Sequence, residues 1–219
     1  VTITHLCDKS KYVWWKPNPI KAEIINCGYS GLKKAWMKAI HGKNVSWHLQ
    51  ELLCKNIPNC DVNVATYYAT AHPTVSSGKG TGYYLVQHYE PCFFLKNTEE
   101  YTEASASYNY QFLKKLCVSR WLTEKVHGVF IGNGLNLSKF KMANDRQRKY
   151  DVMVIDRGIS WKGNYQKIVY GLEQGGYSVL VINGAISDVE LLEAYSNSKI
   201  FLYLSETEGF GYPPLEAMA

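Results

Sequence analysis

No Cys-x2-Cys pair occurs in this chain, and no histidine stands at a spacing typical of zinc ligation, so the common structural zinc modules are excluded. The six cysteines (Cys7, Cys27, Cys54, Cys60, Cys92 and Cys117) are scattered, which reads as reduced, mostly buried thiols in a cytosolic protein. No apolar run reaches about 18 residues, so no segment reads as a membrane-spanning helix. Long runs of Lys and Arg are also missing. The net charge of +5 suits a small anionic ligand or a lipid surface better than dedicated nucleic-acid binding. Internal repeats and low-complexity tracts are absent, which excludes solenoid and disordered classes.

What is present suffices for a packed α/β protein. The 219 residues are 46% hydrophobic, enough for a core and for one or two domains. Residues 141–150, KMANDRQRKY, are polar and charged, as a linker tends to be. Two domains are therefore expected, over 1–143 and 144–219. The second alternates short apolar strands at 151–155, 178–182 and 200–204 with helical patterns at 163–175, 187–197 and from 213 onward. That is a parallel βαβ layout. Ser187 followed by Glu190 marks a helix start with a capping box. In the first domain, strands are expected at 1–6, 22–25, 62–66, 83–87, 115–118 and 129–131. Helices are expected there at 31–40, 45–55, 104–110 and 120–126. Asn133 and Gly134 read as a turn.

The chemistry concentrates in the final residues, Ser205 to Ala219, SETEGFGYPPLEAMA. Glu208 and Glu216 bracket seven residues that include Gly209, Gly211, Pro213 and Pro214. The order is strand, glycine-rich turn, then a helix opened by proline with Glu216 in about its first turn. Backbone N–H groups in such a turn can face an anion. The same junction also serves plain packing in many doubly wound proteins. Upstream, Arg157 and Lys162 lie five apart in the loop DRGISWKG after the strand at 151–155; alone they would read as ordinary solvated side chains.

Together these segments resemble retaining glycosyltransferases of the GT-B fold, family 4. EGFGYPPLEAMA is similar to the family's EGFG-x-P-x-LEAMA, and Arg157 with Lys162 is similar to its Arg-x4-Lys-Gly. CVSRWLTEKV at 117–126 and IGNGLNLSKF at 131–140 resemble further family segments, so the likeness runs from about residue 60 to the end. The resemblance implies two Rossmann-like domains with parallel sheets facing a cleft, the first on the acceptor side and the second, incomplete, binding the donor. It implies transfer of a hexosyl group from a nucleoside-diphosphate sugar to a hydroxyl of a glycan, lipid-linked or protein acceptor, with anomeric retention.

By the same likeness, Arg157 and Lys162 would stabilise the leaving diphosphate at roughly 1.5–3 kcal/mol per charge-assisted hydrogen bond. Glu216 would accept from ribose hydroxyls and Glu208 would contact the donor sugar. Backbone N–H groups at Gly209, Phe210 and Gly211 would hold phosphate or sugar oxygens. His88, in YLVQHYEP, stands at a strand's carboxyl end where other members carry a donor-contacting histidine; a histidine merely satisfied in a loop is the other reading. With no Asp-x-Asp motif in the chain, no metal and no cofactor beyond the donor are expected.

Three features depart from the family. Asp156 replaces the usual glycine before the arginine. The opening glycine-rich loop and the segments past LEAMA are not found, so either a fragment or a reduced member is expected. A non-catalytic nucleotide-sugar or glycan-binding module is therefore the competing function, with a different GT-B enzyme such as an epimerase or phosphorylase behind it. Residues 31–43, GLKKAWMKAIHGK, read as a surface helix; peripheral contact with a membrane is the alternative.

Overall fold

The computed structural model of this chain describes residues 2–5, 23–26, 45–138, 140, 148–156, 158 and 165–219. The expected helix at 31–40 with its lysines, and most of the expected linker at 141–150, lie outside the described residues. The chain divides into two compact units, Val1–Gly132 and Asn133–Ala219.

In the first unit, β1 (Thr2–His5) and β2 (Glu23–Asn26) pair in parallel, Thr2 opposite Glu23. Helix α1 (Val45–Asn56) follows. Next come β3 (Val62–Ala65), α2 (Tyr68–Ser76), β4 (Thr81–Val86), α3 (Glu99–Ser107), β5 (Lys114–Cys117), α4 (Arg120–Val126) and β6 (Val129–Phe130). The four strands β3-β4-β5-β6 form one parallel sheet in chain order. Its core gathers Ala65, Ala71, Tyr84, Val86, Ala104, Tyr108, Cys117, Val118 and Leu122, all buried.

Two helices here differ from expectation. α2 was not foreseen, because Pro73 inside it argues against a helix. That proline is fully buried, so packing outweighs the lost backbone bond. α3 starts at Glu99, five residues earlier than expected. The Thr98 side chain caps it, accepting from the Tyr101 N–H at 3.2 Å, and Glu99 and Glu100 favour the dipole of its first turn. The positive φ near 133–134 falls on Gly132 instead (φ 68°). Of the described cysteines only Cys117 is buried; Cys60 and Cys92 are exposed, which corrects the expectation of mostly buried thiols.

The second unit holds β7 (Tyr150–Asp156), α5 (Tyr165–Gln174), β8 (Val179–Asn183), α6 (Asp188–Ser196), β9 (Ser198–Leu202) and α7 (Tyr212–Met218). Its sheet is parallel with β7 central, in the order β8-β7-β9. Covered on both faces, β7 has no alternation: Val152, Met153 and Val154 are all buried. Tyr165, Val169 and Leu172, at helical spacing on α5, pack against Val152, Val154, Val179 and Val181. Ser187 and Glu190 form the expected capping box on α6.

Candidate functional site

Strand β9 ends at Leu202, two residues before the expected limit, and releases Tyr203 and Leu204 into the loop. The Leu204 N–H is taken by the Tyr165 hydroxyl at 2.9 Å, a side-chain partner in place of a strand bond. Tyr203 turns its hydroxyl onto Oε1 of Glu208 in a short hydrogen bond. Burial, and then that bond to a carboxylate, push the Tyr203 phenol above its ordinary pKa, so it remains a proton donor at neutral pH. Ser205 Oγ donates to the Thr207 carbonyl at 3.0 Å, tightening the turn before Glu208.

Gly209 is buried and Phe210 half-buried. The Phe210 ring meets that of Tyr212 edge-on at 5.2 Å. Gly211 then adopts φ 84°, ψ 60°, a left-handed conformation that a side chain would strain. Helix α7 starts at Tyr212, and the two prolines occupy its next positions, where missing N–H groups cost nothing. Glu216 is accordingly the fifth residue of α7, one residue deeper than in a helix opened at Pro213. The Tyr195 hydroxyl on α6 lies 3.2 Å from Glu216 Oε2 and 3.3 Å from the Pro213 carbonyl oxygen, so one phenol ties the start of α7 and its carboxylate to α6. Both motif glutamates are therefore held by tyrosines.

Arg157 and Lys162 lie outside the described residues. Their neighbour Asp156 is described: its Oδ1 accepts from the Gly158 N–H at 2.8 Å. The carboxylate that departs from the family pattern is thus folded back onto its own loop.

His88 stands two residues beyond β4, half-buried, its ring 4.6 Å from Phe93 in a single 3-10 turn, Glu90–Phe93. Among the described residues of this unit Glu90 is the buried carboxylate, 3% exposed. Its Oε2 accepts from the Tyr68 N–H at 2.5 Å and the Tyr84 hydroxyl at 3.0 Å. Burial pushes its pKa up to about 7, against those two bonds, which lower it. His72 is exposed and shares a hydrogen bond of 3.0 Å with Ser76 on the same helix.

Sequence reasoning missed Tyr195, Tyr203 and Tyr108. Tyr203 had a signal, since a tyrosine within the otherwise apolar run IFLYL needs a hydroxyl partner when buried. Among the described residues, no three His, Cys, Asp or Glu side chains gather as metal ligands. None of their helices is long and apolar enough to cross a membrane.

The fold class is α/β of the GT-B type, with parallel, Rossmann-like sheets. No family model and no curated protein matches the chain. Among solved structures it is similar to TarM, a GT-B glycosyltransferase. The TM-score is 0.53 at 12% identity, covering 76% of this chain and 42% of TarM. The chain therefore spans about two fifths of the length of that structure, and the likeness is one of fold.

Proposed function

We propose that this chain belongs to a glycosyltransferase moving a hexosyl group from a nucleoside-diphosphate sugar to an acceptor hydroxyl, with retention and without a metal. The observation that carries the reading is the EGFG loop. It leaves the carboxyl end of a parallel strand, where open α/β sheets bind ligands, and Glu208 within it and Glu216 on α7 behind it are each fixed by a tyrosine hydroxyl. Carboxylates held in this way are oriented before a ligand arrives, which reduces the ordering cost of binding. In this reading Glu216 accepts from ribose hydroxyls, and Glu208 contacts the donor sugar and supports positive charge developing on its ring. N–H groups at Gly209, Phe210 and Gly211 hold donor oxygens. Arg157 and Lys162 stabilise the departing diphosphate. His88 contacts the donor sugar. The leaving phosphate takes the acceptor proton, so no protein base is needed.

Labelled UDP-, GDP- and dTDP-glucose incubated with the protein, with and without EDTA, test this reading. Slow hydrolysis or transfer from at least one donor, unchanged by EDTA and reduced by about a hundredfold in Glu208→Gln, is expected. Saturable binding with no turnover would favour a nucleotide-sugar-binding module instead. Activity lost in EDTA and restored by manganese would contradict the metal-independent mechanism.

A further inference from the structure

The Tyr108 hydroxyl, just beyond α3, spans the turn that carries His88. It donates to the His88 carbonyl oxygen at 3.1 Å and accepts from the Glu90 N–H at 3.0 Å. A phenol has one proton to give and lone pairs to receive, so this single group bonds both ends of the three-residue stretch His88–Glu90. Its ring is 5% exposed and lies nearly parallel to two others, Tyr84 at 5.4 Å and Tyr89 at 5.7 Å. Such packing leaves the hydroxyl little freedom to move. The far side of the turn is pinned as well, because the Glu90 carboxylate takes the first N–H of α2 and the Tyr84 hydroxyl on β4. The His88 backbone is thus set by elements on three sides, and the imidazole inherits its place against Phe93.

We propose that Tyr108 is a positioning residue for His88, its hydroxyl fixing the backbone of the strand-end turn and through it the placement of the imidazole. Any effect on catalysis rests on the reading of His88 as a donor contact; the positioning itself does not. Nothing in the sequence around His88 indicates this partner, twenty residues away and on another element.

Tyr108→Phe keeps the ring and removes the bonds. In isotope-labelled protein, amide exchange at Glu90 is expected to accelerate about tenfold or more. The ring resonances of His88 are expected to shift or broaden, while Phe112→Ala, a change at an exposed site, leaves both readouts alone. A folded Tyr108→Phe with unchanged Glu90 exchange and unchanged His88 resonances would overturn the proposal. Should that variant fail to fold, the Glu90 amide of the unaltered chain decides: protection of about a hundredfold supports the bond, and unprotected exchange overturns it.

Turnover of labelled UDP-, GDP- and dTDP-glucose by His88→Ala separates the two ideas. A turn loosened by Tyr108→Phe together with full turnover in His88→Ala upholds the positioning and removes the donor role of His88. Unmoved resonances in Tyr108→Phe together with lost turnover in His88→Ala do the reverse.

Discussion

Tyr195 on α6 reaches Glu216 on α7 at 3.2 Å, joining two helices through the second carboxylate of the loop motif. If Glu216 receives ribose hydroxyls, Tyr195 holds it ready to do so. Tyr195→Phe is then expected to weaken nucleoside-diphosphate binding five- to tenfold, about the value of one hydrogen bond. Calorimetry checks this, and an unchanged Kd would place Glu216 away from the nucleoside.

Glu90 makes stability depend on pH. In the fold its pKa is about 7 against an ordinary 4.5, so between those values the folded chain keeps a proton that the unfolded chain has released. Its contribution is fully present below the lower value, falls as pH rises and levels off above about 7. The groups facing it are Tyr67, Tyr68, Tyr84 and Tyr108, none of them a cation that would favour the charged form. The loss amounts to about 3 kcal/mol. Urea unfolding between about pH 5 and 8 should show this slope in the unaltered chain and a flatter one in Glu90→Gln.

Gly128 tests the packing of the first unit. A Cβ there would meet Cys117 Sγ at 2.4 Å and the Lys115 carbonyl oxygen at 3.0 Å. Neither can withdraw freely, since Cys117 is buried in the sheet core and the carbonyl is backbone. Gly128→Ala is expected to cost about 1–3 kcal/mol, read as a lower urea midpoint with the same m-value.

Local chemistry was the legible part of this protein. The parallel strands were readable because Val152 to Ile155 of β7 form an unbroken apolar run, and α6 because Ser187 and Glu190 announce its start. The loop from Glu208 to Gly211 was readable for the same reason: glycine and proline act on the backbone where they stand. α2 was hidden because Pro73 is a local signal that tertiary burial overrides. Glu216 lies one residue deeper because Tyr212, not a proline, is the first residue of α7.

The partners of Tyr195 and Tyr108 were not legible. Tyr195 and Glu216 are separated by 21 residues, and Tyr108 and His88 by 20. Such pairs are made by packing between elements, which periodicity and spacing do not encode.

Calorimetry of UDP, GDP and dTDP, each beside its free nucleoside, against the unaltered chain and Lys162→Ala tests the central claim most directly. The account predicts saturable binding of at least one diphosphate, with Lys162→Ala weakening that diphosphate far more than its nucleoside. No binding of any diphosphate, or equal losses for diphosphate and nucleoside, would contradict it.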